Sequence, residues 1–112
     1  MWQVEQDVFP YATQLNYLAN QYNACNNTIF FMTWGRENGD YNNCENWPPV
    51  CTYEGMDDLI RERYLTMAEE NSASISPVGA VWRYMRDFNY EIDLYNSDGS
   101  HPSYLGSYAA AV

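Results

Sequence analysis

Apolar and polar positions along the chain predict an alternation of helices and strands. Between residues 4 and 22, apolar side chains recur at steps of four and three, which is typical of one helix face. Pro10 breaks a helix unless it lies in the first turn, so we expect the regular part to begin near Asp7, a possible N-cap. The run TIFFMT, residues 28–33, is β-branched and aromatic, and it predicts a strand covered on both faces of a parallel sheet.

The second half of the chain repeats this alternation. Thr52 can cap a helix that runs to about Asn71, and SASIS, residues 72–76, predicts a short strand. Ser76 then caps a further helix, and a loop leads to a last helix from about Pro102. Strands that alternate with helices indicate the α/β class, with a parallel sheet and right-handed crossovers.

The number of strands suggests a larger domain. A two-stranded parallel sheet has no means of covering its edges, and the final SYAAAV is an apolar helix face without a C-cap. We therefore expect residues 1–112 to be a piece of a larger domain, cut at each end.

The charge balance excludes several classes of partner. Fifteen acidic residues against five basic ones give a formal charge of −10, which repels nucleic acid and anionic lipid surfaces. No apolar run approaches the roughly 20 residues that span a bilayer. The first residues lack the pattern of a signal peptide, so an export signal, if there is one, would lie outside this chain.

Two of the three cysteines are spaced for a disulfide. Cys44 and Cys51 bracket a loop rich in Asn, Trp and Pro, and closing it would contribute about 2.5 kcal/mol in the chain-entropy model. Such a bond predicts an oxidising compartment, and hence a secreted or periplasmic protein; the alternative is two free thiols in a cytosolic loop. Cys25 is left over as a free thiol at a helix end.

The single histidine lies in a turn that suits acid–base chemistry. His101 follows Asp98 by three residues, with Gly99 between them, and Pro102 stiffens the exit into a helix. A histidine that acts as general base needs a carboxylate to fix its tautomer and stabilise the imidazolium. The alternative is an ordinary surface turn, in which a serine caps the last helix and His101 is incidental.

The same turn carries a resemblance to a known family. SDGSHPSYLGSY resembles the last block of the SGNH (GDSL-type) hydrolases, where an Asp-x-x-His pair precedes the final helix and completes a Ser-His-Asp triad. The resemblance covers most of the chain from about Thr28, and it is to the C-terminal half of a bacterial SGNH-like subgroup. It also rests on the segments FFMTWGRENGD and CTYEGMDDLIRERYLTMAEENSASISPVGAVWRY.

This resemblance implies a flavodoxin-like three-layer α/β/α sandwich that hydrolyses esters, often acyl or acetyl groups on carbohydrates or lipids. His101 would be the general base and Asp98 its orienting carboxylate, without a cofactor. The family's Gly-Asp-Ser or Gly-Asn-Ser nucleophile motif is absent from the sequence, as are its glycine oxyanion block and its Gly-x-Asn-Asp block. The resemblance therefore implies that the serine lies upstream, in a missing N-terminal half, and that this chain alone is inactive.

Three residues directly after the first predicted strand are candidates for a substrate-pocket wall. Trp34, Gly35 and Arg36 follow the carboxyl end of that strand, where ligands bind in open parallel sheets. The alternative is that Trp34 fills the upper edge of the core and Arg36 pairs with an acidic residue.

A metal site has little support in the sequence. Zinc at Cys44, Cys51 and His101 would lack closely spaced paired ligands, and NGDYNN lacks the alternating ligands of a calcium loop. We expect neither metal nor cofactor.

A second function belongs to a different class. The chain could be a non-catalytic acidic module that holds a carbohydrate or a protein through its long loop. Tyr41, Trp47 and Tyr53, in or near that loop, would then be exposed contacts, while most other aromatic residues pack at helical spacing.

Overall fold

The computed structural model of the protein describes residues 3–89 and 91–112. Its elements are α1 (Val4–Asp7), α2 (Phe9–Tyr22), β1 (Ile29–Phe31), a 3₁₀ turn (Pro48–Cys51), α3 (Tyr53–Glu70), β2 (Ser74–Ser76), α4 (Val78–Phe88) and α5 (Tyr104–Ala111). The chain divides into two compact units. Unit 1 contains the chain through Phe31 together with Glu62–Ser76, and unit 2 contains Met32–Arg61 together with Pro77–Val112.

The sheet lies in unit 1 and is parallel, as the alternation of elements predicts. β1 and β2 pair in register, with Phe30 opposite Ile75. The expectation that the first strand is covered on both faces is wrong for this chain: Ile29 is 56% exposed and Phe31 is 47% exposed. Among the described residues, β1 has only β2 beside it. The side chains of Ile29 and Phe31, which a larger domain would cover, are therefore exposed to solvent.

The first helical segment consists of two helices, whereas the sequence predicts one regular helix that begins near Asp7. α1 ends at Asp7, which therefore does not cap α2, and Val8 precedes α2 without a side-chain cap. Pro10 does lie in the first turn of α2, where its missing N–H leaves no intrahelical bond unmade. Along α2, the Asn16 amide donates to the carbonyl of Asn71 over 3.2 Å. Its oxygen accepts a 2.6 Å bond from the Thr28 hydroxyl, next to β1.

The helix starts in unit 2 show one of the two predicted caps, together with the serine cap that belongs to the alternative considered for His101. The Thr52 hydroxyl accepts the Gly55 N–H over 3.1 Å at the start of α3, as predicted. The Ser103 hydroxyl accepts the Gly106 N–H over 3.0 Å at the start of α5. Ser76 does not cap α4, because it is paired in β2 and the N-cap position falls on Pro77.

The core of unit 2 is built around one tryptophan. Trp82 is fully buried, stacks on Trp34 with ring centroids 3.8 Å apart, and meets the edge of Tyr95 at 5.1 Å. Leu94 is buried beside it. At Gly106, an added Cβ would overlap the Leu94 carbonyl oxygen and come within 2.8 Å of the Trp82 ring. This close approach of α5 to the core requires glycine.

Candidate active site

The Asp98–His101 segment forms a closed turn, here called the His101 turn (residues 96–101). The Asn96 N–H donates to the His101 carbonyl over 2.8 Å, and the Gly99 N–H donates to the Asn96 carbonyl over 2.9 Å. Gly99 has a φ of +66°, a left-handed conformation that glycine adopts without steric cost. Gly99 thus lets the chain reverse between the carboxylate and the ring.

The Asp98 carboxylate holds both the backbone and the ring of His101. Its Oδ1 accepts the N–H groups of Ser100 and His101, each over 2.9 Å, and its Oδ2 lies 2.5 Å from His101 Nδ1. The bond to the His101 ring, followed by the two backbone bonds, lowers the pKa of Asp98 to about 2. These contacts favour the ionised carboxylate at neutral pH.

The ionised carboxylate determines the tautomer of the neutral histidine. A carboxylate without a proton is only an acceptor, so His101 Nδ1 must carry the proton that lies between the two groups. Nε2 of the neutral ring then has a free lone pair, which is the state that a general base requires. The His101 side chain is 78% exposed, so this nitrogen is open to a partner.

The segment that follows β1 is tied to the His101 turn. The Trp34 indole N–H donates to the Ser100 carbonyl over 3.1 Å, and the Glu37 N–H donates to the Gly99 carbonyl over 2.8 Å. Both residues between Asp98 and His101 therefore accept a bond from residues 34–37. The structure brings Trp34 and the Asp-x-x-His pair together, although they lie more than 60 positions apart in sequence.

A network of hydrogen bonds from buried and half-buried side chains fixes the backbone of residues 35–37. The Gly35 N–H donates to Asp57 over 3.2 Å, and the Gly35 carbonyl accepts a 2.6 Å bond from the Tyr95 hydroxyl. Both terminal nitrogens of Arg86 donate to the Glu37 carbonyl over 3.2 Å. Burial raises the pKa of Tyr95, which keeps its phenol a neutral donor to Gly35. Residues 35–37, which bond to the His101 turn, are therefore held in place by hydrogen bonds from side chains of unit 2.

Asp57 is a site residue whose position the sequence analysis missed. It is 2% exposed and pairs with Arg83 over 3.1 Å, while Arg83 also reaches Asp58 over 3.0 Å. The signal was available: Tyr53, Asp57 and Ile60 are spaced by four and three, so the carboxylate lies on the apolar face of α3. A charge in register with an apolar stripe indicates a paired, buried group.

The three predicted wall residues occupy different environments. Trp34 is half-buried in the stack with Trp82, and Gly35 is buried with both backbone groups bonded. Arg36 is exposed and forms a 3.6 Å ion pair with Asp40. The core position of Trp34 and the acidic partner of Arg36 match the alternative considered for these residues, and their contact with a substrate stays a prediction.

The loop aromatics also differ from expectation. Tyr41 is almost fully exposed, as predicted, and Trp47 is half-buried. Tyr53 is 4% exposed, so the prediction that it is a surface contact is wrong. It begins α3 and lies under the Arg86 guanidinium, whose central carbon is 3.6 Å from the ring centroid.

Helical spacing also overestimates the packing of two tyrosines. Tyr22 and Tyr84 lie at or near helical core spacing but are exposed. The prediction that most aromatic residues outside the long loop are packed is wrong, since these are also exposed: Tyr11, Tyr17, Phe31, Phe88, Tyr104 and Tyr108.

Comparison with known proteins supports the fold. No protein-family model and no curated protein matches the chain. A solved structure described as "a putative SGNH hydrolase from Slackia heliotrinireducens" is similar, with a TM-score of 0.71 and 23% identity over 92% of this chain. The match covers 51% of that protein, so this chain spans about half its length. The resemblance to SGNH hydrolases is confirmed at the level of an α/β fold with a parallel strand pair.

The cysteines are arranged as predicted. Cys44 and Cys51 form a disulfide, and Cys25 is free and exposed. The disulfide is compatible with an extracellular or periplasmic protein.

The described residues contain neither a metal-binding cluster nor a membrane-spanning helix. Within residues 3–89 and 91–112, no three His, Cys, Asp or Glu side chains are grouped to hold a metal ion. No helix in that part of the chain has the length and apolarity to cross a bilayer.

Proposed function

We propose that this chain is the C-terminal part of an SGNH-type serine ester hydrolase and supplies the histidine and aspartate of its triad. The observation that carries the proposal is the paired Asp98 Oδ2 and His101 Nδ1, which leaves Nε2 exposed and able to accept a proton. The likeness in fold to the described SGNH protein supports the same assignment.

In this proposal the serine lies upstream, outside this chain. As its hydroxyl attacks the ester carbonyl, His101 Nε2 takes the proton and then returns it to the departing alkoxide. Water repeats the same steps on the acyl-enzyme and releases the acid. Asp98, with a pKa of about 2, stays ionised throughout and stabilises the imidazolium.

The substrate class follows from the family resemblance: an acyl or acetyl ester of a carbohydrate or a lipid-like alcohol. Trp34, Gly35 and Arg36 would form one side of its pocket. Trp34 is the best supported of the three, because its indole bonds directly to the turn that carries His101.

The N-terminal half of the domain is the partner that this function requires. Unit 1 exposes Ile29 and Phe31 on β1, and an open apolar groove runs between Tyr11 and Leu15 of α2 and Phe30 of β1. Further strands and helices of the same domain would cover these side chains and carry the serine. The disulfide supports a secreted or periplasmic setting.

Substitution of the histidine in the complete protein tests the proposal. His101→Ala should lower kcat on an aryl acetate by at least about 10⁴-fold, because no other group accepts the serine proton, while the folded structure stays intact. Asp58→Ala is the control, since it removes an exposed carboxylate away from the His101 turn. Hydrolysis at the wild-type rate by His101→Ala would contradict the proposal.

Covalent labelling separates this proposal from the rival binding module. A serine-directed phosphonate should label one upstream serine of the complete protein and should leave this chain alone unlabelled. The non-catalytic module would be favoured by two results together. No serine would be labelled, and a carbohydrate would quench the tryptophan fluorescence of the wild type but not that of Trp47→Ala. Labelling of a serine within this chain would contradict the upstream position.

A further inference from the structure

The peptide group between Ser100 and His101 is held at both of its polar ends by side chains. Its carbonyl accepts the Trp34 indole N–H over 3.1 Å, and its N–H donates to Asp98 Oδ1 over 2.9 Å. A peptide group is planar, so these two bonds together fix the orientation of the plane that leads into the His101 Cα.

The Trp34 bond comes from a rigid donor. The Trp34 ring lies nearly parallel to Trp82, with an interplanar angle of 11°, and Trp82 is fully buried and packed against Tyr95. The indole N–H cannot swing away from Ser100 without breaking this stack. The core of unit 2 therefore sets the direction of the hydrogen bond.

The orientation of this peptide affects the ring of His101. One carboxylate serves both groups of that residue, since Asp98 Oδ1 takes the backbone N–H and Oδ2 takes ring Nδ1. If the peptide rotates, the His101 N–H and Cα move relative to the carboxylate, and the two bonds cannot both keep their geometry. The ring bond, which determines the tautomer, thus depends on the peptide plane.

We propose that Trp34 is a positioning residue for His101, which acts through the Ser100–His101 peptide to keep the proton on Nδ1. Its consequence for catalysis rests on the proposed function. Its effect on the tautomer does not, and can be measured in this chain alone.

The single histidine makes the measurement direct, because every imidazole signal comes from His101. Trp34→Phe keeps an aromatic ring for the stack and removes the N–H donor. Long-range ¹H–¹⁵N spectra of the neutral ring should show the ratio of the Nδ1–H to the Nε2–H tautomer falling about fivefold, the equivalent of one net hydrogen bond. Carboxyl ¹³C titration should show the pKa of Asp98 rising from about 2 toward 3.8.

The matched control is Trp82→Phe. It replaces the other indole of the same stack, whose Nε1 has no partner among the residues that the structure describes. Because phenylalanine keeps an aromatic ring against Trp34, this variant should lower stability while leaving the tautomer ratio and the Asp98 pKa unchanged. Equal shifts in both variants would reduce the role of Trp34 to packing and overturn the proposal, as would unchanged values in Trp34→Phe.

A second variant applies if Trp34→Phe does not fold. Replacing Trp34 with β-(3-benzothienyl)alanine keeps the shape of the indole and exchanges the N–H for sulfur; the same two shifts are expected, and their absence overturns the proposal. A negative result here leaves His101 as general base untouched, since that role is decided by His101→Ala in the complete protein.

Discussion

Unit 2 buries Tyr53, Trp82 and Tyr95 around polar groups that are bonded to one another, whereas unit 1 leaves most of its large apolar side chains exposed. In unit 2, Trp82 and Tyr95 pack together while the Tyr95 hydroxyl holds Gly35. The exposed large apolar residues of unit 1 are Val8, Tyr11, Leu15, Tyr17, Leu18, Tyr22, Ile29, Phe31 and Leu65. The candidate site lies in the unit whose core is filled, which is the arrangement that holds side chains in fixed geometry.

The largest test of this contrast removes the centre of the unit 2 core. Trp82→Ala should lower the free energy of unfolding by about 3–5 kcal/mol, because it leaves a cavity among Val78, Leu94 and Tyr95. Leu15→Ala in unit 1 should change it by less than about 0.5 kcal/mol, since Leu15 is exposed. Urea unfolding followed by circular dichroism measures both. Equal losses would show that unit 1 is as well packed as unit 2.

A smaller effect is expected from the buried carboxylate. Asp57→Ala should cost about 2 kcal/mol, because it leaves the buried Gly35 N–H without an acceptor and deprives Arg83 of a partner. Asp58→Ala, which removes the exposed partner of the same arginine, should cost less than about 0.5 kcal/mol. Thermal unfolding of the two variants side by side makes the comparison. Similar melting temperatures would mean that the buried Asp57 contributes no more to stability than the exposed Asp58.

The smallest effect concerns pH. The folded pKa of Asp98 is about 2, below the ordinary value of 3.8, so the unfolded chain binds the proton more readily. The stability that Asp98 contributes is therefore present above about pH 4 and is lost as the pH falls through 2.

The corresponding variant is Asp98→Asn. Its melting temperature should fall less steeply than that of the wild type between about pH 4.5 and pH 2. Asp87→Asn separates this effect from a simple change in net charge. Parallel curves for wild type and Asp98→Asn would contradict the role of the turn in acid stability.

Local sequence patterns predicted the helices and strands better than they predicted which side chains of those elements are buried. Thr52 and Pro10 act at helix starts as their chemistry predicts, and the two strands pair in parallel. The burial of Ile29 and Phe31 could not be predicted, because apolar composition shows which side chains favour an interior but not whether other elements cover them.

The site shows the same division. The pairing of Asp98 with His101 was predicted from the resemblance of SDGSHPSYLGSY to a family block, since the three-residue spacing alone is equally typical of an ordinary surface turn. The bond from Trp34 to Ser100 joins residues 66 positions apart, and a single sequence contains no local signal for it. The burial of Tyr53 was missed because Tyr53 was treated as part of the long loop, whereas it is the first residue of α3 and lies on the apolar face of that helix.

The contact at Gly106 has a consequence for how this chain can vary over time. Tyr104, Leu105 and Tyr108 on the same helix are exposed, so substitutions there meet little resistance. At position 106 even alanine would collide with the Leu94 carbonyl and the Trp82 ring. Substitution in α5 is therefore least restricted at its exposed residues, is limited at Ala109 and Ala110, which pack against the core, and is most restricted at Gly106, two positions after the helix begins.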